Sequence, residues 1–166
     1  MNWFVIALIL FAIFGSMMWM MPSPRQRVQA LLRQCAMRSG FQVQIVRVLM
    51  PRALGEALAD ERDCVAYRLP RAAGKARGKA VPWQIFKLVS YANEGLTEGW
   101  SWSRGEGELD AAALALIKEL IETLPKDAYG LESTPISVSV FWAERGTPET
   151  VVQIKQLLNR LLEAGV

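Results

Sequence analysis

The chain opens with an uninterrupted apolar run. Residues 3–21 contain no charged side chain, and Ser16 is the one strongly polar residue among them. As a helix the run would be about 28 Å long, which matches the hydrocarbon thickness of a bilayer. Trp3 and Trp19 lie near its two ends, where tryptophan rings favour the interface between lipid and water. The pattern therefore predicts an uncleaved transmembrane anchor over residues 1–22, rather than a signal peptide, which would need preceding cations.

A basic amphipathic helix is predicted next, over residues 23–39. Ser23, Pro24 and Gln26 form a capping-box pattern with proline at the first helical position. Apolar residues at positions 28, 31, 32 and 35 then recur on one helical face. We expect the arginines of this helix to contact anionic lipid head groups; an alternative is that the apolar stripe packs on the core and the arginines are solvated. These residues are Arg25, Arg27, Arg33 and Arg38.

The remaining residues, 40–166, combine strand and helix patterns in a soluble α+β domain. Strand patterns cover residues 41–50, 64–69, 83–91, 99–103 and 136–144, and helical patterns cover 110–124 and 148–164. Short links between the middle strands favour antiparallel pairing. The predicted fold is thus α+β: an N-terminal transmembrane helix, an amphipathic juxtamembrane helix, and a mostly antiparallel sheet of 4–5 strands packed by two helices.

Charge is distributed unevenly along the chain. Residues 1–80 carry a net charge of +8, whereas residues 81–166 carry −5. Lys and Arg beside a membrane span are retained on the cytoplasmic side, and the first acidic residue after the run is Glu56. The predicted localisation is therefore a bacterial inner membrane, single-pass, with the N-terminus periplasmic and the C-terminal domain cytoplasmic.

Composition restricts the possible chemistry. The chain has no histidine and two cysteines, which excludes imidazole catalysis, a disulfide framework and a cysteine-only zinc site. No phosphate-binding loop or dinucleotide fingerprint is present. We expect no cofactor, no metal and no catalytic residue. An enzyme that uses carboxylates without histidine stays open as an alternative.

Two further groups of residues are candidates for contact with partners. A basic segment at 71–80 is predicted to meet lipid or an acidic partner through Arg71, Lys75, Arg77 and Lys79. The same segment would be the contact in an alternative function, binding of RNA or the ribosome, although no recognised nucleic-acid motif accompanies it. Trp100 and Trp102 are predicted to anchor a partner; the alternative is that both cover the inner face of the sheet.

Two resemblances bear on function. The order of apolar run, Pro/Arg-rich junction and basic helix (MMPSPRQRVQALLRQ) resembles the small accessory subunit of bacterial preprotein translocases over residues 3–35. The whole chain, with its PSPR junction, AYRLPR stretch and EGLTEGWSW segment, looks more like uncharacterised proteobacterial single-pass inner-membrane proteins. That resemblance implies no established activity. The expected function is a membrane-tethered accessory or interaction subunit without enzymatic activity, in contact with the lipid bilayer and a membrane-protein partner.

Overall fold

The computed structural model describes residues 2–19, 23–72 and 80–166 and, within the first range, the side chains of residues 2–15. The described residues form helices and strands in the order α1 (Asn2–Trp19), α2 (Pro24–Arg38), β1 (Gln42–Leu49), β2 (Glu61–Pro70), β3 (Trp83–Phe86), β4 (Ser101–Arg104), α3 (Ala111–Thr123), β5 (Ala128–Ser133), β6 (Ser137–Trp142) and α4 (Pro148–Ala164).

Local capping signals determine where the helices begin. The Ser23 hydroxyl accepts from the Gln26 amide while the Gln26 side chain accepts from the Ser23 amide, which confirms the capping box at the start of α2. The Asp110 carboxylate accepts from the amide of Ala113 at 2.7 Å and caps α3. Gly165 ends α4 with a left-handed φ of 74°, a conformation that favours glycine.

All the strands pair antiparallel in one sheet with the order β1-β2-β6-β5-β3-β4. The two edge strands also approach each other, because the Ser103 hydroxyl on β4 donates to the carbonyl of Leu49 on β1 at 2.8 Å. The sheet is therefore rolled, with an outer face and an inner face. The outer face contributes Tyr67, Val140 and Trp142 to the main core beneath the helices.

A second, smaller apolar cluster fills part of the inner face. Its buried members come from β1, β2, β3 and β6 and from the residue after β1: Val48, Met50, Cys64, Ala66, Phe86 and Phe141. The sheet is thus buried on both faces, which requires strands that carry apolar side chains on both sides.

The transmembrane anchor predicted over residues 1–22 is corrected by the structure. Nowhere in the described ranges is there a helix both apolar enough and long enough to cross a bilayer. The membrane, single-pass and inner-membrane predictions for this chain are overturned by the same finding.

The predicted number of strands is also wrong, because the sheet has six strands instead of four or five. The strand that the sequence pattern did not reveal is β5. Gly130 stands in its centre and weakens the strand signal, but a Cβ there would lie 2.5 Å from Cδ1 of Phe86 and 2.8 Å from Cδ2 of Phe141. A glycine fits at this position because the rings of Phe86 and Phe141 lie against the backbone and leave no room for a side chain.

Candidate functional site

The exposed N-terminal helix is the first candidate contact surface. Every described side chain of α1, from residue 2 to residue 15, is exposed, and Trp3 is 84% exposed. The first two turns of α2 are exposed on most sides as well, including the apolar Val28 and Leu31. We refer to α1 and residues 24–31 of α2 as the N-terminal arm. The side chain of Trp19 lies outside the described residues.

The arginines of α2 divide into two groups. Arg25, Arg27 and Arg38 are exposed and form no ion pair within the described ranges. Arg33 instead binds the carboxylate of Glu144 with two parallel bonds, from Nε at 2.6 Å and from an Nη atom at 2.7 Å. Arg33 is therefore occupied within the protein, while Arg25, Arg27 and Arg38 can meet a partner.

The Arg33–Glu144 pair extends to Tyr67 on β2, whose hydroxyl donates to Glu144 at 2.8 Å. The Glu144 side chain is 1% exposed, and Glu144 is the one non-glycine residue in the described part of the chain with positive φ. The bond with Glu144 raises the pKa of Arg33. Burial, and then the bond with Glu144, raise the pKa of Tyr67. The three side chains attach α2 to the sheet.

Trp100 and Trp102 do not form a contact surface. They are 6% and 3% exposed and belong to the main core, where the Trp102 ring lies edge-to-face against Trp83 at 6.4 Å. The Trp102 ring nitrogen donates to the carbonyl of Glu94 at 2.8 Å. The partner contact predicted for these two residues is therefore wrong. Their side chains pack in the core, in line with the alternative that they cover the sheet.

Arg71 is also inside the protein instead of on a basic surface. It is 4% exposed, and its guanidinium donates to the Thr134 carbonyl, the Ser133 hydroxyl and the Val166 carbonyl. Burial lowers the pKa of Arg71. The other predicted contacts of this segment, Lys75, Arg77 and Lys79, lie outside the described residues.

A polar cavity of about 320 Å³ opens on the inner face of the sheet, beside the small apolar cluster. Its lining includes residues of both edge strands, β1 and β4, which the rolling of the sheet brings together. The strand register places one polar row across the whole sheet at this level. The row runs through directly paired residues of β1, β2, β6, β5, β3 and β4: Gln42, Arg68, Ser139, Glu132, Gln84 and Arg104.

Glu132 lies near the middle of this row and is held by its neighbours. It accepts from Gln84 at 3.2 Å and from Ser139 at 3.3 Å, and lies 3.7 Å from Arg68. Arg68 also donates to Gln44 at 3.1 Å, but its Nε is buried and forms no hydrogen bond. The cavity lining thus contains an ion pair and neutral donors, an arrangement suited to binding a small polar molecule.

No sequence signal identified this cavity. Its polar residues are scattered among apolar positions of separate strands, and the row exists only through the pairing register.

Comparison of the chain with protein-family models, curated proteins and solved structures finds no match. Within the described residues there is also no group of three or more cysteine and acidic side chains placed to hold a metal ion.

Proposed function

We propose that this protein is a non-enzymatic accessory or interaction subunit, which binds an acidic partner protein through its N-terminal arm. The observation that carries the proposal is the exposure of an apolar helix, α1, which a basic helix, α2, follows in the sequence. Trp3, Phe11 and Phe14 are 84%, 84% and 69% exposed. Apolar surface of this extent on a single element is typical of an interaction site.

The apolar character of α1 extends around its circumference. Exposed large side chains occur at nearly every position from 3 to 14, on all sides of the helix. A helix that is apolar all round is stable when its whole surface is enclosed. A partner that surrounds α1 with its own apolar side chains would provide this enclosure.

Charge complementarity supports an acidic partner. Arg25 and Arg27 lie on the exposed part of α2, and no acidic residue occurs between positions 23 and 55. Val28 and Leu31, 48% and 54% exposed, follow these cations along the helix. Carboxylates on the partner would pair with the arginines at the border of the apolar contact, the usual arrangement of an apolar interface core with a polar rim.

The C-terminal half of α2 attaches the N-terminal arm to the rest of the protein. Leu32 and Ala36 are fully buried, and Arg33 binds Glu144 with two bonds. Leu32, Arg33 and Ala36 are therefore not available to a partner that binds the arm.

Site-specific photocrosslinking in the full-length protein tests the proposal. A photoreactive phenylalanine analogue replaces Phe11 in one variant and Leu31 in another, and adducts are identified by mass spectrometry. We expect both positions to capture the same protein, at an apolar surface bordered by acidic residues. Reversing two charges with R25E and R27E should lower the adduct yield about tenfold, since each rim contact changes association by several-fold.

The control reverses two exposed cations outside the arm, with R52E and R145E, and should leave the yield unchanged. Equal loss in both double variants, or adducts only with a second copy of this chain, contradicts the proposal. So does binding to phosphatidylglycerol vesicles that depends on Arg25 and Arg27 while no protein adduct forms.

A further inference from the structure

We infer that the cavity on the inner face of the sheet is a binding site for a small organic oxyanion, a molecule that carries carboxylate or phosphate groups. This site is separate from the N-terminal arm, and the inference does not depend on the proposed function. It rests on the polar residues that the strand register brings to the cavity, on their balance of charge and on the volume of the cavity.

The charge of the row favours an anion. Glu132 is compensated by Arg68, which lies 3.7 Å away. Arg104, at the other end of the row, is exposed and forms no ion pair within the described residues. Arg47, also in the cavity lining, already pairs with Asp63 at 3.3 Å. Arg104 is thus the cation of the lining that is free to attract a negative charge.

Arg68 is a second arginine in the cavity lining. Its side chain is 29% exposed and faces Gln44 and Glu132, whereas its Nε is enclosed by protein atoms and lies out of reach of a ligand. Arginine binds carboxylate and phosphate with particular strength because these bonds are charge-assisted.

The volume and floor of the cavity restrict the ligand further. About 320 Å³ is at the small end of the range of ligand sites. The next row of paired residues towards the interior is mainly apolar and includes Ala66, Phe141 and Phe86. The polar groups therefore form one layer, and a compact ligand with several oxygens fits better than a long chain.

Calorimetric titration of the full-length protein with citrate, inorganic phosphate and glucose tests this inference. We expect one of the two anions to bind at a single site with Kd below about 1 mM, and glucose not to bind. The two anion titrations distinguish a carboxylate site from a phosphate site. R104Q and R68Q should each weaken binding about tenfold, the effect of one charge-assisted contact.

R160Q is the matched control, since it removes an exposed arginine on α4 and should leave the affinity unchanged. E132Q provides a result of opposite sign: binding should become several-fold tighter, because the variant removes the negative charge closest to the ligand. Failure of both anions to bind, equal binding of glucose, or equal weakening by R160Q and R104Q would overturn the inference.

Discussion

Replacing Arg33 with methionine should strongly destabilise the protein. The change removes both bonds to Glu144, at 2.6 and 2.7 Å, and leaves that carboxylate with the Tyr67 hydroxyl as its bonding partner. Because the Glu144 side chain is 1% exposed, its carboxylate stays largely desolvated when the guanidinium is lost. The variant therefore isolates the cost of a buried carboxylate that has lost its counter-ion.

The expected cost is about 3 kcal/mol in the free energy of unfolding. Removing one partner of a buried ion pair costs about 3–5 kcal/mol. Arg33 itself is 36% exposed, so the pair is partly solvated and the lower end of that range applies. Changing Glu144 to glutamine as well keeps an oxygen for Tyr67 and removes the buried charge. The double variant should therefore be more stable than R33M alone, with a coupling of about 2 kcal/mol or more.

Urea unfolding, followed by tryptophan fluorescence, measures these differences. Trp142 lies 5.3 Å from Tyr67, ring centre to ring centre, and reports on this region. R160M is the control, because Arg160 and Glu119 form a bond of similar length, 2.9 Å, with both side chains exposed. A fully exposed pair contributes little to stability, because solvent and salt screen it. If R33M cost no more than R160M, or if the R33M and E144Q costs simply added, the reasoning would be refuted.

Three other predictions concern stability and reactivity. G130A should destabilise the protein by about 1–3 kcal/mol in urea unfolding, because the new methyl group overlaps two rings. Stability should fall as the pH rises above 10, since folded Tyr67 keeps a proton that the unfolded chain releases, and Y67F should reduce this slope in denaturation measured from pH 9 to about 11. Cys35 should react with a thiol reagent before Cys64, which is 1% exposed and whose pKa is raised by burial; simultaneous labelling of the native protein would contradict this.

Elements with strong local patterns were predictable. The helix predicted over 148–164 is α4, and the stripe of Val151, Ile154, Leu158 and Leu161 is buried as its spacing indicates. The capping box of α2 also acts as the sequence predicts. These features depend on residues within one or two turns of each other, so a single segment contains the information.

The strands were harder to predict from the sequence pattern because both faces of the sheet are buried. In β1, Val43 packs against the main core, whereas Val46 and Val48 belong to or pack against the inner cluster. The apolar residues of β1 therefore do not alternate regularly along the strand, because both of its faces are buried, while the register with β2 continues without interruption. In β5, the glycine at position 130 is of a type common in turns, but here it allows the rings of Phe86 and Phe141 to pack close to the backbone.

The roles of the candidate site residues depended on distant partners. Arg33 is separated from Glu144 by 111 positions, and nothing in the local sequence distinguishes it from the exposed Arg25 and Arg27. Trp102 is in the core because the pairing of β3 with β4 places it beside Trp83. The local sequence gives the identity of a side chain, but not the residues from distant segments that surround it in the fold.

The sequence by itself determined the helices, most of the strands, the absence of imidazole chemistry and the apolar and basic character of the N-terminal arm. The tertiary structure decided which arginines are available, which tryptophans are buried, and that polar residues of six strands form one row, four of which line a cavity. The reason is physical: periodicity and capping act between near neighbours, whereas burial and strand register result from contacts between segments far apart in the chain.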